Sequence, residues 1–318
     1  MLIKAEFSGI LQWGYLTIMV INLFFVFEFY CKKSQELLLG VFRIGIILLF
    51  INIISIMIFP RGIIQSTFWD IEAGDYYFLG IKTQFTNMIF PTLAAIIVLY
   101  NNNKSKYRKS LIFFIICAVL NIFLKDISTA IVGLIVFIAI LLLGKICRVR
   151  INYKTYLSSA IAFQFAVVFF NLQNLFSSLI SAVLNKDASL SARVYIWNNA
   201  KEVLENQPLI YTIFGNGVIK HNEFVWYSGG YWQPHNQLLV WLYSGGVIGT
   251  VLIIYFFGIL MKNRIKPNRS YGIVLIVCFL ELFLSVTEVY FDNAVCYVPF
   301  LIIYYLFNKP IYEKERGV

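Results

Sequence analysis

Apolar residues run along this chain in blocks of about 20, separated by short polar and basic runs. Six blocks stand out by length, near 10–30, 37–59, 83–100, 155–176, 236–261 and 271–291. About 20 helical residues, rising 1.5 Å each, cover the roughly 30 Å hydrocarbon core of a bilayer. Two further stretches are read from their flanks. Leu111 to Leu143 is apolar except for Lys125-Asp126, too long for one straight crossing. Basic residues bracket it on both sides, Lys104, Lys106, Arg108 and Lys109 before it and Lys145, Arg148, Arg150 and Lys154 after it. Positive charge marks the cytoplasmic side, so an even number of crossings separates these runs. The expectation is a helical hairpin, 110–124 and 127–144, with Lys125-Asp126 at its outer tip. The same logic divides the C-terminal run at Asp292-Asn293. The pattern predicts an all-α, polytopic membrane helix bundle of about nine spans, N-terminus outside and C-terminus inside.

Composition agrees with that pattern. The 318 residues are 60% apolar, 18% aromatic and 13% charged, about half the charge of an ordinary soluble domain, which excludes that class. A net charge of +10 could mark a nucleic-acid footprint, but the basic residues lie in short runs between apolar blocks rather than on one stripe. Nucleic acid is not an expected partner; the lipid bilayer is. In the nine-span arrangement 17 Lys and Arg fall in cytoplasmic segments against 8 outside, and most acids lie outside. The five Cys have no CxxC spacing and an odd count, so they read as small apolar residues rather than disulfides or metal ligands. The first block is too long for a signal-peptide core and reads as a retained span.

The connections are unequal. Residues 60–82 form one modest outer loop, whereas 177–235 form a loop of about 60 residues, far longer than packed helices need. The chain therefore divides into an N-terminal bundle of six spans (1–176), a large extracytoplasmic loop with an amphipathic helix (177–235) and a C-terminal bundle of three spans (236–318). No internal repeat and no matching pair of broken spans appears, which speaks against an inverted-repeat transporter.

Within the loop, Val194, Trp197, Ala200 and Leu204 recur at helical spacing ahead of Pro208, with Ser189 or Ser191 as N-cap. Arg193 then sits in the first turn, where its charge adds to the free amides and the positive end of the helix dipole. Two readings stand: an anion site, or a surface Arg paired with Asp187 or a lipid headgroup. The Gly215-Asn-Gly217 turn is weak evidence for phosphate binding. Trp226, Tyr227, Tyr231 and Trp232 suit the membrane interface and also stacking on sugar rings. His235, between Pro234 and Asn236, opens the next span; the dipole there would keep its imidazole neutral and able to act as a general base, or it merely caps the span. Gly245, Gly246 and Gly249 read as a small-residue face for helix contact. Glu281 and Glu288, seven apart, are placed on one face of a span, lining a polar cleft or paired with Arg43. No cluster of metal-ligand spacing and no Walker-type loop is present.

The ordered set Arg193-x-x-x-Trp197, Pro208, Gly215-x-Gly217, Pro234-His235-Asn236-x-Leu238 and Gly245-Gly246-x-x-Gly249 resembles the O-antigen ligase and Wzy-type polysaccharide polymerase family. The resemblance is good over about 187–291, weaker around Ile127-Ser-Thr-Ala130, and only hydropathic toward the N-terminus. It implies a GT-C-like, inverting, metal-independent membrane glycosyltransferase with no cofactor. It further implies a site on the outer face of a bacterial cytoplasmic membrane, with undecaprenyl-pyrophosphate-linked oligosaccharide as substrate and other polysaccharide-export proteins as partners. Carried over residue by residue, His235 activates the acceptor hydroxyl and Arg193 holds the donor pyrophosphate. The family often opens the span after the hairpin tip with a Ser-Arg-Thr-like tract; here Lys125-Asp126-Ile127-Ser128-Thr129 offers only the point charge of Lys125. The candidate site is His235 as base, with Arg193, Lys125, Trp197, Asn236, Trp232 and Glu288 on substrate. The expected activity is a capsule, exopolysaccharide or O-antigen polymerase. The alternatives are a ligase that moves finished glycan to another acceptor, and a glycolipid or solute transporter.

Overall fold

The structure, a computed structural model, describes residues 7–64, 75–146, 152–176, 193–217, 234–262 and 268–308. The apolar blocks fold as helices: α1 (Phe7–Tyr30), α2 (Ser34–Ile58), α3 (Thr86–Asn102), α4 (Lys104–Leu124), α5 (Ser128–Ile146) and α6 (Tyr153–Phe170). Two loop helices follow, α7 (Arg193–Asn206) and α8 (Leu209–Phe214), and then α9 (Gln237–Met261), α10 (Arg269–Leu284) and α11 (Val298–Asn308). Among the described residues there is no strand, only isolated bridges such as Ile64 to Tyr76. Gly14–Ile58, Lys82–Asn102, Lys104–Leu124 and Gln237–Met261 are long and apolar enough to cross a membrane, and the first, at 45 residues, holds two helices joined at the turn Cys31–Lys33. The molecule is an all-helical integral membrane protein.

Its helices are turned inside out relative to a soluble bundle. On α2 the exposed positions include Ile44, Ile47, Phe50, Ile51, Ile54, Met57 and Ile58, while Asn52 and Ser55 are buried. Lipid accepts the first set, and the second set bonds inward because an unpaired polar group in hydrocarbon is costly. Asn52 Nδ2 donates to Asn121 Oδ1 of α4 at 2.7 Å, and Asn121 Nδ2 donates to the carbonyls of Leu49 and Cys117. The backbone N–H groups of Phe78 and Leu79 reach back to Ser55 Oγ and Asn52 Oδ1, which seats the 75–81 loop on α2.

The chain groups into two compact units. One comprises Ile21–Tyr153, Leu260–Glu281 and Asn293–Val318; here α2, α3 and α4 pack on one another, and α11 packs on α3. The expected break is present in it: α4 ends at Leu124, the Lys125-Asp126 turn has Asp126 at φ 47°, and α5 begins at Ser128. The other comprises Met1–Val20, Lys154–Ile259 and Leu282–Asp292, and contains α6 to α9 and the turn after α10.

Three expectations are corrected. The block 155–176 is not one helix, since α6 stops at Phe170, Asn171 turns at φ 52° and Leu172–Phe176 continues as a 3-10 turn. The block 271–291 also stops short, at Leu284, because the Ser285 and Val286 carbonyls turn out to accept from Gln237 N and Asn236 Nδ2. Glu281 and Glu288 therefore do not share a helix face: Glu288 lies in the turn beyond the helix. Lastly, Gly245, Gly246 and Gly249 do not form one close-contact face: of the three, only Gly246 makes a close approach, a Cβ there lying 2.4 Å from the Ile213 carbonyl oxygen. Gly246 takes φ 63°, ψ −168°, which breaks the helical path of α9, and a side chain on Gly249 would meet open space.

Candidate active site

Three pieces of the second unit build this site: helix α7, the start of α9, and the turn 285–288. Helix α7 buries the stripe its sequence predicts, with Ile196, Trp197 and Ala200 inside and Val194, Val203 and Leu204 partly so. The stripe packs on Val167 and Val168 at the end of α6, on Leu239 of α9 and on Val286. Lys201 Nζ, one turn after Trp197, donates to the Val168 carbonyl at 3.1 Å and ties α7 to α6 a second time. Trp197, only 1% exposed, donates its indole N–H to the Pro234 carbonyl at 3.0 Å. A buried indole N–H needs a partner, and this one fixes the residue next to His235.

His235 itself stands at φ 47°, a conformation that His adopts more readily than most side chains but that costs of order 1–3 kcal/mol. Both flanks hold it there. Behind it is the Pro234 bond to Trp197. Ahead of it, Asn236 is fully buried, accepts the Leu239 N–H at 2.9 Å as N-cap of α9, and donates to the Val286 carbonyl at 2.8 Å. Gln237 continues the clamp: its N–H donates to the Ser285 carbonyl, and its Oε1 accepts from Phe291 N–H. From α6, Gln164 Nε2 donates to the Leu282 carbonyl and to Ser285 Oγ. The turn 285–288 is thus bonded to two helices before any charge is considered.

That turn presents Glu288 to Arg193. Arg193 Nη2 lies 2.5 Å from Glu288 Oε1, with the two side chains 19% and 9% exposed. Burial, together with the nearby Arg193 charge, lowers the His235 pKa from 6.5 to about 4. The imidazole is therefore neutral at pH 7, as the sequence predicts, but through desolvation and a cation rather than through the helix dipole. A neutral imidazole can take a proton, and a guanidinium with five N–H donors has capacity for an anion beyond one carboxylate. Base and cation sit in one partly enclosed place.

The other candidates lie as follows. Lys125 belongs to the first unit, where Nζ donates to the Pro60 carbonyl at 2.6 Å and lies 4.3 Å from the Tyr77 ring centre. The adjacent Tyr77 hydroxyl is pushed up to about 12 by burial and by Asp75. Trp232, Trp226, His221, Asp187 and the proposed caps Ser189 and Ser191 fall outside the described residues. Glu281 is fully buried, and neither carboxyl oxygen has a hydrogen-bond partner among the described residues. Arg43 is exposed. The Gly215-Asn216-Gly217 amides do not cradle a phosphate: Asn216 N and Gly217 N donate to the carbonyls of Tyr243 and Ser244. Among the described residues no three His, Cys, Asp or Glu come together as a metal site.

Sequence reasoning named Arg193 and Glu288 without pairing them, and missed Gln164 and Ser285. Gln164, an amide amid the apolar run 160–170, was the available signal, since such a group must find a partner in a membrane.

Compared with known proteins, residues 112–254 match the family model described as O-Antigen ligase. This stretch holds Lys125, Arg193, Trp197 and His235, whereas Glu288 lies beyond it. No curated protein and no solved structure matches the chain.

Proposed function

We propose that this chain, whose 112–254 match supports the O-antigen ligase and Wzy-type family, is a nine-span, GT-C-like polysaccharide polymerase of a bacterial cytoplasmic membrane. It transfers a growing glycan from undecaprenyl pyrophosphate to a hydroxyl of an incoming lipid-linked repeat unit on the outer face. The observation that carries the reading is the neutral, half-buried His235 near the Arg193 cation.

In this mechanism the acceptor hydroxyl oxygen attacks the anomeric carbon of the donor while its proton passes to the His235 imidazole. The bond from that carbon to the pyrophosphate oxygen breaks on the opposite face, so configuration inverts. The leaving pyrophosphate gathers negative charge, and the Arg193 guanidinium, already held by Glu288, stabilises it without reorganising. Glu288 is thus a positioning residue for the cation. Trp197 and Asn236 do the same for His235, one through Pro234 and the other through the N-cap. Trp232 stacks on a sugar face. Transfer of finished glycan to a different acceptor fits the same residues, because the catalytic step is identical and only the nucleophile's carrier changes.

The test is to supply purified protein in nanodiscs with undecaprenyl-pyrophosphate oligosaccharide as the sole glycolipid and to size the products. A ladder in whole-repeat steps is expected. No ladder until a different lipid or wall acceptor is added would make the chain a ligase. No transfer to any acceptor would reject a glycosyltransferase.

A further inference from the structure

Helix α9 is broken at Gly246, and the break is filled by the outer loop. Losing the helical path there leaves the Tyr243 and Ser244 carbonyls without their usual partners one turn on, and hydrocarbon offers no water to replace them. Asn216 N donates to Tyr243 O at 2.7 Å and Gly217 N to Ser244 O at 3.0 Å. The approach is close, since a Cβ on Gly215, at φ 81°, would lie 2.2 Å from Ser244 O. Helix α8 ends one residue earlier, at Phe214, and its N-terminal side is drawn back by Asn216 Nδ2 donating to Gln207 Oε1 at 2.7 Å. Six helical residues span about 9 Å, so all of α8 lies beside this break.

The depth of the break follows from the other end of α9. Met261 precedes the basic run that begins at Lys262, and Gly246 is fifteen residues above it, roughly 22 Å along a helix in a core of roughly 30 Å. Helix α8 therefore lies at hydrocarbon depth, in the leaflet away from Lys262. Its surface matches that depth: Leu209 is 72%, Ile210 47% and Phe214 59% exposed, and buried residues are absent from this helix. The adjoining face of α9, with Val247, Ile248, Val251 and Leu252, is likewise exposed and apolar. We propose that Leu209–Phe214 is a re-entrant element whose apolar face contacts lipid acyl chains, continuous with the lipid face of α9, so that part of the large outer loop is membrane rather than aqueous structure.

The test uses wild-type protein in phosphatidylcholine nanodiscs, with no substitution to perturb folding. One sample carries a phospholipid with a diazirine at its acyl-chain end, and a second receives a water-soluble carbene reagent; adducts are mapped by mass spectrometry. Val251 and Leu252 serve as the lipid reference, and the exposed Glu202 and Glu205 of α7 as the water reference. The expected result is a lipid-to-water adduct ratio at Leu209, Ile210 and Phe214 nearer to the lipid reference. A ratio nearer to the α7 reference would overturn the proposal. So would the absence of adducts from both reagents, which would mean that protein covers this face. Neither result bears on His235 or Arg193, so the catalytic reading stands or falls separately.

Discussion

At the scale of single residues, the chemistry rests on two environments. Burial and Arg193 bring His235 down to about 4, so its neutral, proton-accepting form prevails at any pH well above that. Transfer should rise with pH through about 4 and level off by about 6, and a pH–rate profile checks it; an acid limb centred near 6.5 would mean a solvated imidazole. Stability has the same sign. With the folded pKa below the ordinary 6.5, the stabilising contribution of a neutral His235 is fully present above 6.5 and is lost as pH falls through about 4. The second environment is the ion pair. Breaking a largely buried pair by removing one partner costs about 3–5 kcal/mol, so Glu288→Ala should lower thermal stability. Arg193→Ala should weaken donor use more than Arg193→Lys does, read as KM for the lipid-linked donor, because a lysine keeps the charge while losing the fork.

At the scale of elements, backbone geometry decides what side chains cannot. Gly215→Ala would place a methyl against the Ser244 carbonyl at a backbone angle that alanine resists. We expect a drop in melting temperature and a chain that no longer elutes as a single species, whereas Gly249→Ala, which meets open space, should behave as wild type. Size-exclusion chromatography and a melting curve check both. These elements also show where the sequence was readable. The break between α4 and α5 at Lys125-Asp126 was legible because that charged pair interrupts an apolar run too long for one straight crossing. Helix α7 was legible because its stripe has helical period. The break at Gly246 was not, since hydropathy runs unbroken through it and the cause, a loop returning from some thirty residues earlier, is a tertiary contact. The end of α10 was hidden similarly: Val286 continues the apolar pattern, and only its carbonyl's bond to Asn236 shows that the helix has stopped.

At the scale of the whole molecule, charge distribution sets orientation. If the nine-span arrangement holds, a membrane-impermeant thiol reagent applied from outside should label cysteine at position 202, on exposed α7, and not at position 106, beside Arg108 and Lys109. Cells expressing single-cysteine variants, with the five native cysteines replaced, provide the check; labelling at both positions would break the arrangement. The candidate catalytic residues His235, Arg193 and Glu288 all lie in one compact unit, and Lys125 lies in the other. The catalytic argument accordingly rests on the first three.

The central claim is that His235 is the base of a glycosyl transfer, and the most direct measurement is the single-turnover transfer rate of wild type and His235→Ala with saturating lipid-linked donor and acceptor. A well-placed general base contributes about 10²–10⁴-fold, so the variant should slow by that factor while eluting and melting like a folded protein. A folded His235→Ala enzyme that transfers at a rate within a few-fold of wild type would contradict the account.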